Sequence, residues 1–177
     1  MAMTLITTNS GTNQTVSSFT SSIDSTYKLY IFSFYDVNPA TDSAEFTFQA
    51  NVAGASDYNE EITSATFYMS HSEADGDASY QYTQTHDQAE GTAFQPISWD
   101  LGNGADESCA GELWLFDPSN TTYKTQFMAE ATNYEAGNRV YHSHTGGYFD
   151  SAAAIVNIQF KMSSGNMDSV IKMYGVS

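Results

Sequence analysis

Residues 155–177, IVNIQFKMSSGNMDSVIKMYGVS, alternate between apolar and polar side chains on both sides of a short Ser-Ser-Gly-Asn segment. Before that segment the apolar positions are Val156, Ile158, Phe160 and Met162. After it, Met167, Ile171 and Met173 share one face, while Asp168 and Lys172 share the other. Period-two alternation across a short loop is typical of a β-hairpin with one buried face. The sequence therefore predicts a closing hairpin, with the fold completed at this end of the chain.

The most apolar stretch, residues 27–37 (YKLYIFSFYDV), also predicts a strand, but one of a different kind. Tyr27, Leu29, Ile31 and Tyr35 would lie on one face, and aromatic residues would occupy the other. A strand that is apolar on both faces is covered on both sides. One cover would be the core, and the second would be another layer or a subunit interface.

Two further stretches predict strands with one face in the core. In residues 44–52, Ala, Phe and Val would point inward, and Glu45, Thr47, Gln49 and Asn51 outward. In residues 62–71, the predicted inner face carries Ala65, Phe67 and Met69.

The rest of the chain adds shorter strand signals separated by turn residues. We expect an edge strand in 80–85, a short strand in 92–101, and a pair formed by 111–117 and 123–132. Tyr123, Phe127, Ala129 and Ala131 would share a face of that pair. Residues 139–149 are less regular, and Gly146-Gly147 would break them.

Nine or ten strands without a sustained helical period predict an all-β protein, an antiparallel β-sandwich of jelly-roll-like type. We expect a single domain over residues 19–177. Residues 1–18 are rich in Thr, Ser and Asn and predict an N-terminal arm or peripheral strand. That segment is either a floppy terminus or an arm that lies on a neighbouring subunit.

The charge of the chain is strongly acidic, with 5 Lys+Arg against 21 Asp+Glu and a formal net charge of −16. Such a surface repels phosphate backbones and anionic membranes, so neither nucleic acid nor membrane is an expected partner. Docking on a basic partner is compatible with it. Cys109 is the only cysteine, which excludes an internal disulfide and favours a buried free thiol.

Targeting signals are absent from the N-terminal residues, which have neither a basic region nor an apolar core. No apolar run approaches membrane-spanning length. We therefore expect a protein that is made in a cytoplasm and kept there, or built into something assembled there.

Few residues suggest chemistry. His142 and His144 would present two imidazoles on one strand face; these could share a metal ion with further ligands, or be polar surface residues. His71 and His86 are too distant in sequence to assign to a site. We expect no catalytic residues, no metal and no cofactor.

Two other groups have both a binding and a structural interpretation. Glu73, Asp75 and Asp77 alternate in a loop that could hold Ca²⁺ but lack the spacing that makes such a loop specific. Trp99, Trp114 and the tyrosines could stack on sugars, although in a β-sandwich such residues usually belong to the core or to interfaces.

Several stretches resemble a family of virion structural proteins encoded by marine tailed bacteriophages, and together they cover most of the chain from Phe19 onward. These are residues 24–42 (DSTYKLYIFSFYDVNPATD), 44–51 (AEFTFQAN), 58–68 (YNEEITSATFY), 111–123 (GELWLFDPSNTTY) and 158–176 (IQFKMSSGNMDSVIKMYGV). The closing Ser-Gly-Asn followed by Ile-Lys-x-Tyr-Gly is the most characteristic part. Family members more often carry Gly-Thr where this chain has Ser169-Val170.

The resemblance implies a jelly-roll-like virion component, a homo-oligomer and most often a trimer, that contacts the major capsid protein or other virion proteins. The expected function is non-enzymatic: decoration of the capsid, or alternatively a tail or head fibre module that binds host-surface glycans. The family supplies no catalytic residues to carry over.

Overall fold

The computed structural model describes residues 2–177, and its regular secondary structure is almost entirely β-strand. The strands are β1 (Met3–Gln14), β2 (Ser17–Phe19), β3 (Leu29–Pro39), β4 (Ala44–Val52), β5 (Ile62–Ser72), β6 (Ala78–Tyr82), β7 (Gln95–Leu101), β8 (Cys109–Phe116), β9 (Gln126–Glu135), β10 (Arg139–Phe149), β11 (Ile155–Met162) and β12 (Met167–Val176). A single 3₁₀ turn covers Gln84–His86. Among the described residues no helix has the length and apolar character needed to cross a membrane.

All strand pairs are antiparallel and belong to one sheet that nearly closes into a barrel, which confirms the all-β prediction. The main path runs β1-β12-β3-β8-β9-β7-β4-β11-β2, and β9 also pairs with β10, which leads to β5 and the edge strand β6. The link between β7 and β9 is a single pair, Leu101 with Glu135. Strands β1 and β2 form the two ends of the path and are consecutive in the chain, so they meet at the seam.

The N-terminal residues belong to that seam. β1 pairs with β12 as a peripheral strand, and the side-chain amide of Asn9 donates to the carbonyl of Ser18 across the gap, at 2.9 Å. β2 pairs with β11 and spans the boundary we predicted at residue 19, with Phe19 in the core. Met1 lies outside the described residues.

The prediction of a closing hairpin is wrong, although both of its strands exist. β11 pairs with β4 and β2, whereas β12 pairs with β1 and β3. The Ser-Ser-Gly-Asn segment is therefore an arch that carries the chain from one part of the sheet to another. β3 and β4 form a second arch in the same way, because each pairs with a strand of the first.

Backbone hydrogen bonds between the two arch loops explain why residues 163–166 do not close a hairpin. The Ala40 amide donates to the Asn166 carbonyl at 2.8 Å, and the Ser163 amide donates to the Glu45 carbonyl at 2.9 Å. Gly165 has a φ of +71°, and a Cβ there would overlap the Thr41 hydroxyl. The glycine thus allows the two loops to pack against each other.

The core is an aromatic cluster enclosed by the sheet. Phe160 of β11 is fully buried and stacks on Phe46, with ring centroids 5.6 Å apart and planes at 13°. It also contacts Phe32 of β3 at 5.7 Å, and Phe48 packs edge-on against Phe127 at 5.0 Å. These contacts join β4 and β11 to the strands on the other side of the core.

The outward face of β4 is buried, which contradicts the prediction that it faces solvent. Thr47, Gln49 and Asn51 have exposed fractions of 3%, 0% and 1%. The Thr47 hydroxyl donates to the carbonyl of Lys161 in β11. Two loops cover the other two: the Gln49 amide donates to the carbonyls of Glu60 and Ala93, and the Asn51 side-chain oxygen accepts from the Tyr58 amide. A buried polar side chain needs such partners, and the strand pattern alone does not reveal them.

The faces of β5 also differ from prediction. Ala65, Phe67 and Met69 lie on the outer side of β5, and the inner side carries Ile62, Thr66 and Ser70.

β10 is continuous through Gly146-Gly147. A Cβ at Gly147 would lie 2.7 Å from the Phe127 ring, so the glycine admits a core aromatic instead of breaking the strand.

The predicted pairing of 111–117 with 123–132 is confirmed by β8 and β9. Phe127, Ala129 and Ala131 share the buried face as predicted, but Tyr123 is 73% exposed and precedes the strand.

Substitution of Gly165 by Ala tests the contact between the arches. Gly54 is the matched control, since it also has a positive φ (+91°) but no atom within 4 Å of the position that a Cβ would take. We expect Gly54→Ala to lose about 1 kcal/mol of unfolding free energy from the left-handed backbone alone. Gly165→Ala should lose about 2–3 kcal/mol, because steric overlap is added. Urea denaturation measures both, and equal losses would contradict the packed-arch description.

Candidate functional site

The polar cluster with the clearest geometry lies on the outer face of the sheet, where β8, β9 and β10 run side by side. Glu112, Glu130 and His144 are directly opposite one another in register, and Phe67 of β5 continues the row. His142 precedes His144 by two residues on β10 and therefore faces the same side of the sheet. Each of these residues is placed outward by strand alternation, because its neighbours in the chain point into the core.

The donor atoms of three of these side chains converge. The Nε2 of His142 lies 2.9 Å from Oε1 of Glu130, and the Nε2 of His144 lies 3.9 Å from the same oxygen. One potential ligand atom from each side chain falls within 4.8 Å of the other two. The side chains of His142, His144 and Glu130 are 33%, 30% and 43% exposed, so the cluster is open to solvent.

Aromatic contacts hold the two imidazoles in place. The ring of His144 stacks on Phe67 with centroids 4.9 Å apart and planes at 16°. The His142 ring meets His144 nearly at a right angle, with a centroid distance of 4.6 Å. Both rings are therefore oriented before any ligand arrives.

Glu112 adds a second carboxylate to this surface. Partial burial raises its pKa, and the negative charge of Glu130 across the strand pair raises it further. Like charges placed directly opposite in a sheet are destabilising. Among the described residues no Lys or Arg forms an ion pair with either glutamate.

Two open depressions flank the cluster. One is lined by Ala110, Glu112, Trp114, Glu130 and His142, among others, and the other by Phe67, Trp114, Met128, Glu130 and His144. Trp114 contributes to both. A ligand at this face would therefore meet a polar centre with apolar walls.

A second polar cluster lies near β7 and has a structural character. His86 stacks on Trp99 with centroids 4.2 Å apart, and its Nε2 lies 3.2 Å from Oε1 of Glu45. Burial raises the pKa of the nearby Asp100 carboxyl, and the charge of Glu45 adds to that shift while His86 opposes it. Trp99 itself is only 4% exposed, so this cluster offers no stacking surface for a ligand.

The other candidate residues from the sequence do not come together. Asp75 contacts His71 at 3.2 Å, and Asp77 pairs with Arg139 at 3.1 Å, so two of the three carboxylates already have partners within the chain. Cys109 is buried as expected, and burial raises the pKa of its thiol, which leaves it poorly suited to be a nucleophile.

Glu112 and Glu130 are the functional candidates that sequence reasoning missed. The strand pattern could have indicated them, since both occupy outward positions in strands predicted to pair. Nine residues connect β8 to β9, however, and a connection of that length does not determine the register. Only the register places Glu130 beside His142 and His144.

Searches against protein-family models, curated proteins and solved structures found no match to this chain.

Substitution of Asp100 by Asn tests the electrostatic character of the second cluster. Because the pKa of Asp100 is raised in the folded state, ionisation of this carboxyl lowers stability as pH rises above its ordinary value near 3.9. We expect Asp100→Asn to raise the free energy of unfolding at pH 7 by less than about 1 kcal/mol, since solvent screens a partly exposed carboxylate.

The gain should shrink as the pH falls through the ordinary Asp pKa near 3.9 and be lost by about pH 2.5, where the Asp100 carboxyl is neutral in both the folded and the unfolded state. Chemical denaturation at the two pH values measures it. Asn suits the left-handed φ of 52° at this position, so the backbone does not oppose the change. A gain of equal size at both pH values would contradict the electrostatic cause.

Proposed function

We propose that this chain is a non-enzymatic structural protein of a bacteriophage virion that decorates the capsid and assembles as a homo-oligomer, a trimer in the simplest case. The observation that carries assembly as a homo-oligomer is an uncharged outer band on the sheet. The sequence resemblance supports the assignment to a phage virion. Under this proposal the partners are further copies of the chain and the major capsid protein, and the protein resides in the virion.

The outer band consists of two adjacent cross-strand rows that run over β1, β12, β3, β8, β9, β10 and β5. The first is Leu5, Tyr174, Ile31, Trp114, Met128, Gly146 and Ala65; the second is Met3, Val176, Leu29, Phe116, Gln126, Tyr148 and Thr63. None of these residues is charged, in a chain with a net charge of −16.

Exposure and charge together favour a second copy of this chain as the occupant of the outer band. Met3, Leu5 and Met128 are 56%, 51% and 51% exposed, which is unusual for large apolar side chains on one sheet face. Two copies of so acidic a chain repel each other least where neither presents a carboxylate. The band is such a place, so contact between copies there buries apolar surface without burying charge.

The finer fold assignment belongs to the same proposal. We propose that the nearly closed sheet is a jelly-roll-like sandwich, in which β4 and β11 lie across the aromatic core from β3 and β12. The two stacked arches support this, because they carry the chain between the two sides. Capsid attachment would use the acidic remainder of the surface against a basic patch of the shell.

Substitution of Met128 by Asp tests assembly through the outer band. We expect wild-type protein to sediment as an oligomer, with a trimer at three times the 19.4 kDa chain mass, and Met128→Asp to shift toward monomer at micromolar concentration. The reason is that a carboxylate buried in an apolar contact between acidic copies has no cation to pair with. Tyr123→Asp is the control, since Tyr123 is 73% exposed and lies outside the band.

Location in the particle needs a second measurement. Mass spectrometry and cryo-electron microscopy of purified phage particles that encode the chain should detect it, with density over the capsid lattice. A chain that remains monomeric and is missing from the particles would overturn the proposal.

A fibre module that binds host glycans is the second candidate, and exposed tyrosines favour it. Tyr80 and Tyr82 on edge strand β6 are 68% and 63% exposed, and Tyr80 packs against Phe67 at 5.5 Å. Aromatic rings on a sheet edge suit stacking on sugars. Glycan-array binding that is lost in Tyr80→Ala, together with density at a tail or fibre, would favour this function over decoration.

A further inference from the structure

Two imidazole nitrogens converge on one carboxylate oxygen, with spacings close to those between the ligand atoms around a metal ion. Tetrahedral Zn²⁺ sites hold nitrogen and oxygen ligands about 2.0–2.2 Å from the metal, which places neighbouring ligand atoms about 3.3 Å apart. The two Nε2–Oε1 distances from Glu130, 2.9 Å to His142 and 3.9 Å to His144, bracket that value. Small side-chain rotations would equalise them.

We infer that Glu130, His142 and His144 form a binding site for one divalent transition-metal ion of the Zn²⁺ class. The donor set is two imidazoles and one carboxylate, which suits Zn²⁺, Co²⁺ and Ni²⁺. Ca²⁺ and Mg²⁺ prefer oxygen ligands throughout.

The backbone prepares this site. β9 pairs with β8 on one side and β10 on the other, and β10 pairs in turn with β5, so all three ligands come from strands with partners on both edges. His144 is further fixed by its stack on Phe67. Binding of a metal ion therefore carries little of the ordering cost that a site on flexible loops would impose.

The charge at the cluster also favours a cation. Glu112 lies directly opposite Glu130, and no Lys or Arg in the described part of the chain pairs with either carboxylate. A bound divalent ion offsets that repulsion. Glu112 lines the same depression as Glu130 and His142, so we assign it as a neighbouring charge that strengthens binding.

Three protein ligands leave at least one coordination position open. The ligand side chains are 30–43% exposed, and the open position faces outward between the depressions that share Trp114. Water would occupy it in the isolated chain. All three ligands belong to one chain, so metal binding does not require assembly.

Isothermal titration of the untagged, chelator-treated full chain with Zn²⁺ tests the inference. We expect one ion per chain, and with Co²⁺ we expect visible d–d absorption bands from low-symmetry nitrogen–oxygen coordination. His142→Gln and His144→Gln should each weaken binding by at least about tenfold, and the double variant should abolish it. Circular dichroism checks that each variant is folded.

His71→Gln is the matched control, because His71 is also an exposed imidazole next to a carboxylate, at 3.2 Å from Asp75, but lies outside the cluster. Its affinity should equal that of the wild type. Absence of saturable Zn²⁺ binding, or binding that survives in the double variant, would overturn the site. Glu112→Gln should weaken binding several-fold, and an unchanged affinity would overturn the part assigned to Glu112.

Discussion

The stacking of two arch loops is the constraint on which the sheet depends. Hydrogen bonds from Ala40 to Asn166 and from Ser163 to Glu45 hold the β3–β4 and β11–β12 loops together. With the loops joined, β3 lies beside β12 and β4 lies beside β11, while the other edges of β3 and β4 remain free to pair with β8 and β7. The arches thereby separate strands that are neighbours in sequence and join strands that are more than a hundred residues apart.

The aromatic core follows from that arrangement. Phe46 and Phe160 come from paired strands β4 and β11, and Phe32 comes from β3 on the other side of the arches, so the three rings meet only when both arches are formed. Burial of such rings is a large stabilising term, and edge-on and offset contacts add to it. Packing and backbone pairing therefore specify the same topology, which is the consistency expected of a sequence with one fold.

Alternation in the sequence was sufficient to find most strands, and it failed where contacts between distant segments decide the outcome. It located β11 and β12 but paired them with each other, because a short Gly-containing loop is equally compatible with a hairpin and with an arch. It misjudged the polar face of β4, since Gln49 and Asn51 are satisfied by loops outside the strand. At the candidate site the same limit applies: His142 and His144 share a face by local geometry alone, whereas Glu130 joins them only through the register of β9 with β10.

In the region of β8, β9 and β10, the inward residues pack in the core and the outward residues form the polar cluster. Inward positions such as Leu113, Phe127 and Ala129 are buried in the core. Outward positions contribute little to the core, so residues such as Glu130 and His144 are not required there for folding, and the like-charge contact of Glu112 with Glu130 works against it. A destabilising arrangement on a surface that the core does not constrain is explained most directly by a ligand or a partner that the isolated chain lacks. A divalent cation would neutralise carboxylates in the cross-strand row that adjoins the uncharged outer band. With that ion bound, the part of this row on β8, β9 and β10 could contact another copy without burying an unpaired carboxylate.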